Sequence, residues 1–442
     1  MSTRERLAIA LYGGLWFIAA PLAGLYLLWR SRRQPAYRQH WPQRFLGRYA
    51  ERPGAACIWI HAVSVGETRA AVPLVRALRT LHPATPILVT HMTPTGLETA
   101  REAFGDSVSH ALLAYDLPFA VARFLRHWRP WIGIVMETEI WPGLMRAAHT
   151  HGVPMVIANA RMSERSMRSA LRWPALMRPA LRSFARVLAQ TRADAHRLAE
   201  IAAVPDVAPR FVVTGSVKFD VDVPAAQRAL GRRFRERIGV RPVVLCASTR
   251  DGEEEAIFEA WKRASATYAT TMPLLVVVPR HPQRFDEVVA LAMRTGLETR
   301  RRSDDAALGE QVAVWIGDSM GELFAYYLAA DVAYVGGSLV PLGGQNLIEP
   351  AAVGCPVLIG PHTFNFAEAT ADALSAGAAL RVATVDAMIE EALELIADPA
   401  RRERMGQAAI AFAEAHRGAT AKTMAEIESL LASSGSGDTR GP

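Results

Sequence analysis

Short, almost wholly apolar runs alternate with amphipathic stretches along this chain, in two successive trains. The first train gives strands at 58–63, 87–90, 132–136, 155–158, 187–190 and 211–214. The second gives strands at 243–247, 274–278, 312–316, 332–335 and 357–359. A strand that is apolar on both faces must be covered on both. Helical crossovers supply that cover, and they leave the strands parallel. The pattern therefore predicts an α/β chain of two Rossmann-like, doubly wound domains, at 34–220 and 241–432. A polar, Arg-rich stretch with Gly231 and Gly239 falls between the trains and predicts a linker at 221–240. The Ser/Gly-rich end, 433–442, reads as a disordered tail.

The segment before the first train, 1–33, has a different character. From Leu7 to Trp29 no side chain is charged, and 23 residues as a helix span about 34 Å, enough for a hydrocarbon core of ~30 Å. Arg30, Arg32, Arg33 and Arg38 close the run, whereas Arg4 and Arg6 before it are partly offset by Glu5. The heavier positive flank lies on the C-terminal side, which predicts a membrane anchor with the rest of the chain in the cytoplasm. A cleaved signal peptide and a helix lying in one leaflet, a monotopic rather than single-pass anchor, are the competing readings. Tyr37, Trp41, Phe45 and Tyr49 alternate with arginines and read as an aromatic, basic collar at headgroup level.

In doubly wound sheets ligands gather at the carboxyl ends of the strands, so the residues after each apolar run are the informative ones. The first strand ends in His61-Ala-Val-Ser-Val-Gly66-Glu67, where Glu67 is either a site carboxylate or a favourable charge at a helix N-terminus. The third ends in Met136-Glu137-Thr-Glu139-Ile-Trp141-Pro142, again a site or plain capping. In the second train Ser248-Thr249-Arg250 and Pro279-Arg280-His281-Pro282 end two strands. Gly317-Asp318-Ser319-Met320-Gly321-Glu322-Leu323 has capping-box spacing between Ser319 and Glu322, and a helix starting there aims N–H groups at a phosphate. Gly336-Gly337-Ser338 and Gly343-Gly344-Gln345-Asn346-Leu347-Ile348-Glu349-Pro350 let a backbone approach a ligand closely. Glu349 is placed to accept both hydroxyls of a ribose.

Other classes lack their signatures. The chain has no GxxxxGK[ST], no GxGxxG after the first strand of either train and no HExxH. A P-loop enzyme, a dinucleotide oxidoreductase and a zincin are therefore not indicated. Its three cysteines are far apart, with no CxxC. The net charge of +7 calls for an anionic partner, but the arginines are scattered and no nucleic-acid-binding motif accompanies them.

Together with Thr214–Asp220 (TGSVKFD) and Gly360–Phe366 (GPHTFNF), these motifs resemble, in order and over nearly the whole chain, the Kdo transferases of Gram-negative lipopolysaccharide synthesis. Kdo is 3-deoxy-D-manno-octulosonic acid. The resemblance implies a B-type glycosyltransferase fold, with the acceptor bound mainly by the N-terminal half and CMP-Kdo by the C-terminal half. It implies Kdo transfer to the lipid A disaccharide precursor at the cytoplasmic face of the inner membrane, with no metal and no cofactor beyond the donor. Glu67 matches the family's base. Glu137 would stabilise positive charge on the sugar, and Lys218 negative charge on the leaving phosphate. Pro279, Arg280, Met320, Gly321, Glu322, Asn346, Leu347, Ile348 and Glu349 would hold the donor. Gln345 stands where relatives often carry His.

Arg161, Arg165, Arg168 and Arg172 open an arginine series that continues through Arg178, Arg182 and Arg186, with only Glu164 opposing it. Interleaved with Leu171, Trp173, Leu176, Met177 and Leu181, it predicts a membrane-facing surface for the acceptor's phosphates. Two other readings fit the same residues: a membrane-associated B-type enzyme using a UDP-sugar, and a non-catalytic nucleotide- or lipid-binding module.

Overall fold

The computed structural model describes residues 1–50, 54–204, 209–220, 222–268, 272–304 and 308–435. The chain divides into two units, 1–220 with 417–442, and 221–416.

In the first unit seven parallel strands lie in the order β3-β2-β1-β4-β5-β6-β7. They are β1 Ile58–His61, β2 Ile87–His91, β3 Ser109–Leu112, β4 Ile132–Met136, β5 Met155–Ala160, β6 Phe184–Ala189 and β7 Phe211–Val213. Every residue of β1, β2, β4 and β5 is buried, because helices cover both faces. The side chains sort into two clusters, one around Trp59, Phe124 and Trp128, the other around Ile60, Leu74 and Val89. The second unit repeats the plan as β10-β11-β9-β8-β12-β13-β14. Here β8 is Val243–Thr249, β9 Leu274–Pro279, β10 Thr299–Arg301, β11 Val314–Ile316, β12 Val332–Val335, β13 Val357–Ile359 and β14 Ala379–Arg381. In both units the order reverses beside the first strand, so the carboxyl ends of β1, β4, β8 and β12 flank the switch points where such sheets take ligands.

Several boundaries differ from those predicted. The stretch expected as a linker, 221–240, is mostly the helix Ala225–Ile238. Phe234 and Ile238 bury their side chains under the second sheet, and the exposed Arg228, Arg232 and Arg233 mark the outer face of an amphipathic helix. The second unit ends at 416, not 432. The helix Ala419–Gly435 belongs to the first unit instead. There Met424 and Ile427 join the cluster around Leu74 and Val217, and Asp220 caps the helix start by accepting the N–H groups of Gly418 (2.6 Å) and Thr420. Glu428 meets His82 at 2.7 Å and Glu426 meets Arg186 at 2.8 Å. Such half-exposed pairs are worth up to about 1 kcal/mol, whereas each buried apolar side chain is worth about 1.5–3. The apolar face therefore holds this helix in place. Of the tail expected at 433–442, residues from 436 onward lie outside the described residues, and 433–435 continue the helix.

Thr3–Arg30 is one helix of 28 residues, long and apolar enough to cross a membrane by length and composition. Positions 5, 8, 9, 12, 13, 16, 19, 20, 23, 24 and 27 are shielded, the 3.6-residue period of a single face. That face lies on the first unit. Leu7, Leu11, Leu15, Ile18, Leu22 and Leu25 stay bare on the opposite side. The aromatic collar expected after it turns inward instead. Tyr37 is buried under the Arg30 guanidinium, 4.6 Å from the ring centre. Phe45 packs on Tyr115, and Tyr49 on Phe124 and Trp128. The 3₁₀ turn Pro35–Arg38 carries Tyr37 and the helix Trp41–Leu46 carries Phe45, and each ring buries more apolar area against the first unit than at a surface.

Candidate active site

The first unit gathers three carboxylates and one ammonium at the carboxyl ends of β1 and β4 and in the 3₁₀ turn after β7. Glu67 sits in the first turn of the helix Val65–Leu81. Its carboxylate accepts the Val63 N–H at 2.6 Å and the Ser64 hydroxyl at 3.1 Å. Both bonds favour the charged form, but burial and the charges of Glu137 and Glu139 outweigh them and raise its pKa to about 7. That is the range a general base needs at neutral pH.

Glu137 follows β4 with φ +57°. A non-glycine residue there is uncommon and strained, and such residues cluster at functional sites. Its carboxylate meets Lys218 Nζ at 3.1 Å. Lys218 lies in the turn Val217–Phe219, which hangs from Asn159, since the Asn159 side-chain oxygen accepts the Val217 N–H at 3.2 Å. Asn159 is itself buried at the end of β5 with φ +56°. Sequence reasoning passed over it, although an Asn ending an apolar strand was a usable signal. Glu139 was noted only as one of a pair. Trp141 Nε1 donates to it at 2.9 Å, and burial raises its pKa. The other titratable groups nearby are quiet. His61 and His91 are fully enclosed, and burial lowers them to about 3 and about 4. They stay neutral and bond Thr90 and the Ala62 carbonyl.

In the second unit the predicted donor motifs sit in turns at the carboxyl ends of β8, β9, β11 and β12, glycine-rich after β11 and β12. Gly336 needs its bare Cα because a Cβ would come within 2.5 Å of the Ser248 carbonyl. Glu253 pins the next residue: its carboxylate accepts the Gly337 N–H at 2.8 and 2.9 Å, the Arg250 N–H at 2.9 Å and the Tyr334 hydroxyl at 2.5 Å. Pro279 ends β9, and Arg280 Nε donates to Gln345 Oε1 at 3.3 Å. Asn346 Oδ1 accepts the Ile348 N–H at 3.0 Å, and its amide donates to Glu349 at 3.1 Å. Leu347 and Ile348 are core side chains and offer a ligand only their backbone. The capping box expected at Ser319 is absent. The helix is Leu323–Ala329, its N-cap is Glu322, and the Ser319 hydroxyl donates to the Glu322 carboxylate at 2.7 Å. Glu322 also pairs with Arg302 at 3.3 Å. Met320 is exposed and Gly321 has φ +76°. His281 is largely exposed at the head of the 3₁₀ turn Pro282–Arg284, and partial desolvation of its ring together with the charges of Arg250, Arg280 and Arg284 lowers its pKa.

Arg165, Arg168 and Arg172 are exposed, on or just beyond the helix Glu164–Ala170, and Trp173 beside them is 65% exposed. Arg161 is half-buried. Leu171, Met177 and Leu181 pack into the core. Arg182 is spent on the carbonyls of Ala202 and Ala203, and Arg186 on Glu426, so the basic surface is shorter than the arginine series. Among the described residues no group of three or more His, Cys, Asp or Glu is placed to hold a metal ion.

Two parallel α/β units, each with its polar residues at the strand carboxyl ends, define the B-type glycosyltransferase fold. A solved glycosyltransferase from Rickettsia africae shares this fold with a TM-score of 0.57 at 12% identity, over 86% of this chain and 99% of its own. Anabaena HepE in complex with UDP does so at 0.56 and 13%, over 86% and 100%. At those identities the likeness concerns the fold alone. The family described as 3-deoxy-D-manno-octulosonic-acid transferase (Kdo transferase) matches residues 39–221. The 3-deoxy-D-manno-octulosonic acid transferase of Bordetella pertussis is 46% identical over 423 residues, 93% of this chain and 97% of its own. That of Haemophilus influenzae is 36% identical over 430 residues, covering 95% and 98%. The chain belongs to the Kdo transferase family and is a glycosyltransferase that moves Kdo.

Proposed function

We propose that the donor is CMP-Kdo, that the acceptor is the lipid A disaccharide precursor, and that transfer inverts the anomeric centre without a metal ion. The observation that carries this reading is Glu67, a carboxylate with its pKa raised to about 7 at the switch point of the acceptor unit. A sugar hydroxyl is a weak nucleophile at neutral pH, and a base must take its proton during attack. The hydroxyl oxygen bonds the anomeric carbon of Kdo, its proton passes to Glu67, and the bond from that carbon to the phosphate oxygen breaks with its electron pair leaving on CMP. Glu137 stabilises the oxocarbenium character of the sugar. Lys218 and Arg280 meet the charge growing on phosphate. Asn346 and Glu349, with the backbone of 347–348 and of Met320–Glu322, hold the nucleotide.

The test is a transfer assay with detergent-solubilised protein, CMP-Kdo generated in situ and the tetraacylated precursor, read by mass spectrometry with and without EDTA. A gain of one or more Kdo units, unchanged by EDTA, is the expected result. No gain in protein shown to bind CMP would overturn the acceptor, and competition by UDP rather than CMP would overturn the donor.

The bare apolar side of the helix Thr3–Arg30 supports attachment to the cytoplasmic face of the inner membrane. The docking of its other side along the first unit supports a monotopic anchor, lying in one leaflet, over a single-pass one. Arg165, Arg168 and Arg172 with Trp173 adjoin it through the helix Pro174–Arg182, which packs on the N-terminal helix. Reversing Arg168 and Arg172 to Glu removes charges worth about 1 kcal/mol each near an anionic surface. Flotation with anionic vesicles is expected to weaken at least ~10-fold, and unchanged flotation and acceptor use would refute this surface.

A further inference from the structure

The docked face of the N-terminal helix reaches the segment that carries two of the site's carboxylates. Trp16 lies between two rings, stacked on Tyr115 (centroids 5.7 Å apart, 22° between planes) and on Trp141 (6.1 Å, 29°). Trp141 is the residue whose indole N–H donates to Glu139 at 2.9 Å. One turn earlier the Tyr12 hydroxyl approaches Asp116. Asp116 is 1% exposed, and its carboxylate accepts the Gly143 N–H at 2.8 Å, at the start of the helix Pro142–Thr150. A Cβ on Gly143 would come within 2.6 Å of that carboxylate, so the Trp-Pro-Gly sequence is fitted to Asp116. Gly13 brings the helix close to Pro118, 3.1 Å from where its Cβ would be. The C-terminal end of the segment 137–143 is thus held at two points by residues that the N-terminal helix contacts, at Trp141 directly and at Gly143 through Asp116.

We propose that the N-terminal helix has two separable functions: its outward face attaches the enzyme to lipid, and its inward face, through Trp16 and Tyr12, positions the Glu137–Glu139 segment of the acceptor site. The second function rests on the site reading above. Trp16 is a positioning residue, acting through Trp141 on Glu139. The stacking of such rings adds only a small attraction beyond their buried area, too little to hold the fold but enough to fix one loop conformation. An attachment helix needs only hydrophobicity, whereas a positioning helix needs these particular rings, and that difference is measurable.

Three full-length variants separate the functions: Trp16→Ala, Trp16→Phe, and a triple change of the outward face, Leu11→Gln/Leu15→Gln/Leu22→Gln. Kinetics use precursor in mixed micelles, where attachment to a bilayer is not required. Trp16→Ala is expected to lower kcat by about tenfold or more, with the KM for CMP-Kdo unchanged and with vesicle flotation retained. Trp16→Phe, which keeps a ring to stack, should recover most of the loss. The outward-face variant should lose flotation and keep kcat within about twofold. Hydrogen exchange gives a readout that does not depend on the donor or acceptor: amides of 137–144 should exchange about tenfold faster in Trp16→Ala while those of β1 and β4 stay protected. Unaltered exchange in this segment would overturn the proposal. So would a Trp16→Ala kcat equal to wild type, a Trp16→Phe no better than Ala at equal melting temperature, or an outward-face variant that loses kcat equally. Failure of the wild type to transfer Kdo would refute the function reading instead, leaving the exchange result to decide the positioning.

Discussion

Replacing Glu67 by glutamine is expected to slow transfer about 10³-fold, the middle of the range that a positioned general base supplies, with CMP binding and fold retained. Glutamine keeps the length and still accepts the Val63 N–H, so the turn survives while the proton acceptor is gone. The pH profile carries the same assignment. Glu67 works only when ionised, and its pKa is raised to about 7, so kcat in the wild type should climb with pH through about 7 and then level. An ordinary carboxylate would place that limb near 4.5. Stability moves the opposite way. A carboxyl whose folded pKa exceeds its unfolded value contributes fully below about 4.5 and loses that contribution as pH rises to about 7. Above 7 the native state carries an ionised group that burial disfavours. Glu67→Gln should therefore melt higher than wild type at pH 8, with the gap closing toward pH 5. Retention of most activity, or a limb left near 4.5, would remove Glu67 as the base.

What the sequence revealed follows from burial. The central strands, apolar on both faces, stood out as runs, and the residues after them are those found at the switch points. The three strands that escaped notice are β3, β10 and β14, and each is the edge of its sheet. Ser109–Leu112, Thr299–Arg301 and Ala379–Arg381 carry polar or basic side chains because an edge keeps contact with water. The same ambiguity between polar face and polar segment disguised the helix Ala225–Ile238 as a linker. Long-range packing was not visible at all. Nothing local marks Ala419–Gly435 as returning to the first unit, or turns Tyr37 and Phe45 inward. At the site, Glu67, Glu137 and Lys218 were legible because they follow strands or recognisable motifs. Asn159 was not, since its role is to hold the backbone of Val217 from 58 positions away.

Lys218 offers the second large effect, with a choice between two roles. Its ammonium is 3.1 Å from Glu137, so it either merely balances that carboxylate or also meets the leaving phosphate. Lys218→Ala is expected to lower kcat about 10²–10³-fold, the cost of removing one preorganised electrostatic contact to a charge that develops in the transition state. Glu137→Gln is expected to move the Glu67 limb below 7, because the Glu137 charge is one of the causes raising it. Lys218→Ala should move the limb upward, since it removes the cation that offsets Glu137. The double variant decides between the roles. If Lys218 only balances Glu137, the double variant is no slower than Glu137→Gln alone, because no charge is left to balance. If Lys218 meets the phosphate, the double variant is slower than Glu137→Gln by about the factor that Lys218→Ala costs the wild type, although its limb returns toward the wild-type position. Lys218→Arg sharpens the point. The guanidinium keeps the charge and can still pair with a carboxylate, but it is planar and longer than a compact ammonium. In a chain where all but three of its 50 basic residues are arginine, a lysine retained for its shape should be replaced poorly. The expected rate for Lys218→Arg lies closer to Lys218→Ala than to wild type, with the pH limb unmoved.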